Sequence, residues 1–141
     1  MKLPWRSHRE GSGKGAGSAA GACFESVVEV ESQTHPGVRL RIVRTSFARR
    51  VELLREVREL MRRVTFLSAG KDPQDKMDAL LLKTEIDGTF VRWGVQGVSG
   101  LQIDGIPANP ADLAAGPEDL FREALAAVKR ELGLTEEERK N

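Results

Sequence analysis

At 141 residues the chain has room for one domain, and its 22 basic and 21 acidic residues leave a formal charge of +1, which argues against bulk attraction to nucleic acid or anionic membrane. The single cysteine, Cys23, excludes an intramolecular disulfide framework and suits a reducing compartment. No window approaches the ~18 consecutive apolar residues of a membrane span, so the cytoplasm is the expected location.

The chain opens on a basic tail, in which Lys2, Arg6, Arg9 and Lys14 outweigh Glu10. Residues 10–22 are Gly, Ser and Ala with little else, a composition that buries too little surface to offset ordering entropy. Residues 1–22 are therefore expected to be a flexible tail, with Leu3-Pro4-Trp5 its one apolar spot. Gly11-Ser12-Gly13-Lys14-Gly15 lacks the flanking strand and helix, and the Ser or Thr after Lys, that a phosphate loop needs. Ala20-Gly21-Ala22-Cys23 lacks the apolar run that precedes a lipoprotein cleavage site.

A single domain is expected over residues 23–134. Phe24, Ser26, Val28 and Val30 alternate with Glu25, Val27, Glu29 and Glu31. Gln33-Thr34-His35-Pro36-Gly37 carries turn chemistry, and Val38, Leu40 and Ile42 then alternate with Arg39, Arg41 and Val43. Two runs of period two joined by a turn predict an antiparallel hairpin, its outer glutamates facing Arg39 and Arg41.

The period changes at Thr45-Ser46, either of which could cap a helix. Phe47, Val51, Leu54, Val57, Met61, Val64 and Leu67 follow 4-3-3-4-3-3 spacing, and Leu53 and Leu60 widen that face. Arg55–Glu59 and Glu59–Arg63 are expected as i,i+4 pairs, and Gly70 as the stop. Asp72-Pro73-Gln74-Asp75 opens a second helix, expected to run through Gly88 to about Val95. Leu101 to Ala108 reads as a small hairpin turned by Asp104-Gly105, with Pro107 keeping its second strand at an edge. Asn109-Pro110-Ala111-Asp112 caps a short helical turn, and Gly116-Pro117-Glu118-Asp119 caps a longer helix. That helix turns Leu120, Phe121, Ala124, Leu125, Val128 and Leu132 inward and stops at Gly133, ahead of a charged end over 135–141. The predicted fold is α+β and mostly helical: an N-terminal β-hairpin, a long amphipathic helix, a second helix, a small hairpin and a C-terminal helix. The predicted core comprises Phe47, Leu54, Met61, Leu81, Phe90, Trp93, Leu120 and Leu125.

Candidate chemistry is sparse. His8 and His35 have no Cys, Asp or Glu at ligand spacing, and His35 reads as a solvated turn residue. Asp104, Asp112, Glu118 and Asp119 already serve turns and caps, and Asp87 has no polar neighbours to tune it. The sequence thus predicts no catalytic residue, metal, cofactor or small-molecule substrate. Arg49, Arg50, Arg55, Arg58, Arg62 and Arg63 outweigh Glu52, Glu56 and Glu59 on the first helix. Arg55, Arg58 and Arg62 form a stripe that suits acidic segments or phosphates, or simply a solvated face. A nucleic-acid regulator using Arg49, Arg50, Arg55, Arg58 and Arg62 is the alternative reading, weakened because no aromatic is interleaved for base stacking.

The second half carries Trp93-Gly94-Val95-Gln96-Gly97-Val98-Ser99-Gly100-Leu101-Gln102-Ile103-Asp104-Gly105, then Pro107-Ala108, Gly116-Pro117-Glu118-Asp119-Leu120 and the run from Gly133 to Asn141. In these features residues 85–141 resemble bacteriophage and prophage tail assembly chaperones. It implies a small, mainly helical, non-enzymatic protein that holds a long helical tape-measure protein while tail subunits assemble. The partner would then be a tape measure or tail subunit, in the bacterial cytoplasm or in the virion, and a tail structural component is the neighbouring alternative. Contacts are expected from apolar surface at Trp93, Val95, Leu101 and Ile103, flanked by Arg55, Arg58 and Arg62.

Overall fold

A computed structural model describes residues 21–133. The expectations placed on the basic tail up to residue 20, including Leu3-Pro4-Trp5 and the glycine-rich run, and on the charged end from 134, lie outside the described residues.

The alternating runs form strands β1 (Val27–Glu31) and β2 (Arg39–Val43), paired antiparallel with Glu29 opposite Arg41 and Glu31 opposite Arg39. Opposite charges facing each other across the ladder fix the register of the predicted hairpin. Helix α1 (Phe47–Ser68) starts where Ser46 Oγ accepts the backbone N–H of Arg49 at 3.2 Å. Helix α2 (Pro73–Gly94) starts at Asp72, whose carboxylate accepts Gln74 N–H at 3.0 Å, and runs unbroken through Gly88. Strand β3 (Val95–Ser99) follows without a loop and joins the other edge of β2, giving the order β1-β2-β3. The Asp-Gly hairpin consists of β4 (Gln102–Ile103) and β5 (Ile106–Pro107), with Asp104 and Gly105 both at positive φ. A 3₁₀ turn (Pro110–Ala115) with an Asn109/Asp112 capping box leads into helix α3 (Glu118–Glu131). The fold is α+β, as the patterning predicts.

β3 is an addition to the expected order, because the patterning predicts a helix to about Val95 and gives residues 96–100 no element. Gly97 interrupts the apolar alternation, and the ladder skips Gln96: Ile42 pairs with Val95, but Arg41 pairs with Gly97. Such a bulge hides period two from the sequence.

The core lies between the sheet, α3 and the adjoining ends of α1 and α2. Leu40, Ile42, Leu53, Val57, Leu113, Leu120, Ala124 and Val128 are almost fully buried, as are Phe90 and Val95. Phe90, Leu120 and Leu125 are buried as predicted, and Trp93 packs half-buried against the same cluster. Four predicted core residues are instead at the surface: Phe47 is 83% exposed, Leu54 53%, Met61 42% and Leu81 57%. Their helices are turned by about one residue from the predicted phase. Leu53, Val57, Leu60 and Val64 face inward on α1, and Ala79, Leu82, Ile86 and Phe90 do so on α2. Adjacent apolar pairs such as Leu53-Leu54 and Leu81-Leu82 permit either phase, and only the packing partner decides between them.

Two glycines allow close approach. A Cβ on Gly94 would lie 2.5 Å from Val128 Cγ2, so glycine lets α2 and α3 touch. Gly100, at φ +83°, sits against the Gly37 carbonyl, where a side chain has no room.

Candidate functional site

The turn between β1 and β2 is held onto α3 by one carboxylate. Glu123 accepts the Ser32 hydroxyl at 2.6 Å, the Gln33 N–H at 2.6 Å and the Thr34 hydroxyl at 2.8 Å. Desolvation raises the Glu123 pKa, but the hydrogen bonds from Gln33, Ser32 and Thr34 together outweigh it and leave the group below its ordinary value. Beside it, His35 Nε2 meets Asp119 Oδ1 at 2.9 Å, and this hydrogen bond holds the Asp119 carboxyl below the usual range. His35 is therefore a partnered turn residue, where the sequence predicts a solvated one. The partners lie some ninety residues apart in the chain, so no local pattern announces the latch. Its chemistry is structural: both Glu123 carboxylate oxygens accept from donors of the same domain, and Asp119 Oδ1 meets His35.

The predicted contact residues do not form one surface. Val95 is 3% exposed and belongs to the core. Trp93 is tied to the first turns of α1: its indole N–H donates to Glu52 Oε1 at 3.1 Å, and the Arg49 guanidinium lies 5.1 Å from its ring centre. Leu101 packs on the core, and Ile103 lies beside Gly116. Arg58 and Arg62 sit elsewhere, along a groove between α1 and α2, while Arg55 is exposed and outside the lining of that groove. The expected i,i+4 pairs of Glu59 are replaced by an i,i+3 pair with Arg62 at 3.3 Å, and Arg49 pairs with Glu52 at 2.9 Å.

That groove is the larger feature. α1 and α2 pair along their length, but the sheet and α3 cover them only near one end. Beyond Val57 no residue of α1 is fully buried. The far ends therefore form an arm of two helices, which bury one seam and, among the described residues, have no other cover. Leu54, Met61, Phe66, Met77, Leu80 and Leu81 are all exposed on this arm. Between the helices runs a groove of ≈ 1240 Å³ with a floor of Leu54, Met61, Leu81 and Leu82. Its α1 wall carries Arg58, Arg62 and Arg63 against Glu59, and its α2 wall carries Asp78 and Glu85. The walls thus have opposite sign, basic on α1 and acidic on α2.

The groove floor is hidden in the sequence because Leu54, Met61 and Leu81 pass for core by periodicity. The signal that could have found it is the length of the two apolar faces: each 22-residue helix is about 33 Å long, more than a sheet of five-residue strands can cover. No family model, curated protein or solved structure matches the chain.

Proposed function

We propose that the chain is a non-enzymatic protein-binding adaptor whose helical arm receives an amphipathic helical segment of a partner. The observation behind this reading is the groove over Leu54, Met61, Leu81 and Leu82, apolar at its floor and charged at both rims. Exposed apolar surface rimmed by charge is a mark of interaction sites, and a third helix laid between two is a recurrent way to bury it. Leu54 and Met61, seven residues apart on α1, match the i/i+3/i+4/i+7 anchors such a segment presents.

The narrower form of the reading follows the resemblance over residues 85–141: an assembly chaperone that holds a long helical tape-measure protein of a phage or prophage tail. A tape measure of that kind supplies many apolar helical faces needing cover before assembly. On this reading the contacts come from Leu54, Met61 and Leu81 rather than from Trp93 and Val95, with Arg58 and Arg62 at the rim.

Co-expression with the products of the neighbouring genes tests both forms. The chain is expected to co-purify with a long helical protein, and Leu54→Asp with Met61→Asp to weaken that complex by roughly 30-fold or more, the equivalent of about 2 kcal/mol from two lost anchors. A complex that forms equally well with the double variant overturns the docking site. Failure to recover any such protein overturns the chaperone form.

A further inference from the structure

The geometry points to a second copy of this chain as an occupant of the groove, two arms packing into a four-helix bundle when no other partner is present. This rests on the reading of the arm as a docking surface, and it names a partner that the arm's own charges select. On the groove walls, Arg58, Arg62 and Arg63 less Glu59 leave α1 at +2, while Asp78 and Glu85 leave α2 at −2. The surface is therefore complementary to itself. Two-fold symmetry allows two face-to-face pairings of such arms. One sets α1 on α1 and α2 on α2, opposing like charges across a closing interface. The other sets α1 of each copy on α2 of its partner, so that Arg58 and Arg62 meet Asp78 and Glu85 twice over while Leu54, Met61 and Leu81 close in the middle. Charge selects the second arrangement.

The size suits a weak, reversible pair. The stretch of α1 along the groove, residues 54–67, is about 20 Å long, and with two helices 8–10 Å apart it presents a face of roughly 400 Å² per copy, in the range of transient interfaces. Self-association of this kind shields the apolar floor until a helical partner displaces the second copy.

Sedimentation equilibrium of the 141-residue chain at roughly 100 µM tests the inference. The expected mass is twice the 15.5 kDa of one copy. Arg58→Glu with Arg62→Glu makes both walls acidic, and Asp78→Arg with Glu85→Arg makes both basic. Each double variant, folded by circular dichroism, is expected to be monomeric, and a 1:1 mixture of the two to recover the dimer. A monomeric wild type, double variants that still pair, or a mixture that stays monomeric each overturns the arrangement. A helical partner that binds a strictly monomeric wild type removes this inference and leaves the docking function. A dimer whose arm takes up no helical partner does the reverse.

Discussion

Replacing Glu123 with Ala removes all three hydrogen bonds that hold the β1–β2 turn on α3. The Gln33 N–H and Thr34 hydroxyl are exposed and regain water, so each loses about 0.5 kcal/mol. Ser32 is buried, and its hydroxyl loses an acceptor that water replaces poorly, for about 1 kcal/mol more. The sum of about 2 kcal/mol, at about 4 °C per kcal/mol for a domain of this size, lowers the melting temperature by about 8 °C at pH 7. The pH dependence has a definite sign. The folded pKa of Glu123 lies below its unfolded value of 4.5, so the native state holds fewer protons in mild acid. The stabilisation is complete above the unfolded value and is lost as pH falls through the folded one. Glu123→Gln keeps one acceptor oxygen but cannot ionise, so its stability falls less steeply than wild type below about pH 5. Differential scanning calorimetry of the three proteins from pH 7 to pH 3 measures both effects. An unchanged melting temperature for Glu123→Ala, with an acid slope equal to wild type, refutes the latch.

Gly94→Ala places a methyl within 2.5 Å of Val128 and should destabilise the domain by about 1–3 kcal/mol in urea titrations, through overpacking between α2 and α3. Leu53→Ala should cost about 2–5 kcal/mol, whereas Leu54→Ala, one residue on, should cost less than about 1 kcal/mol. Equal losses at the two positions would contradict the phase of α1. Glu52→Ala frees the Trp93 indole N–H and the Arg49 guanidinium, so tryptophan emission near the base of the arm should shift and become easier to quench with iodide.

What the sequence discloses and what it hides differ by range of interaction. The β1–β2 register is legible because Glu29, Glu31, Arg39 and Arg41 sit on the outer faces of two short alternating runs. The starts of α1 and α2 are legible because Ser46 and Asp72-Pro73 act on amides two or three residues away. The phase of α1 is not local: Leu53-Leu54 and Leu60-Met61 offer two faces about 100° apart, and the sheet and α3 choose between them. β3 is obscured by Gly97 and by the bulge at Gln96. The candidate site was half legible. Arg58 and Arg62 stand at the groove, but Trp93 and Val95 turned inward, since a large apolar residue reads the same whether it fills a core or waits for a partner.

Docking of another protein's helix on the α1–α2 arm is read out by amide hydrogen exchange, measured on the chain alone at monomeric concentration and again in complex with its helical partner. New protection is expected over residues 54–66 and 77–85, with the sheet and α3 unchanged. Protection confined to the β-sheet or to residues 93–105, with the arm exchanging as freely as before, contradicts it.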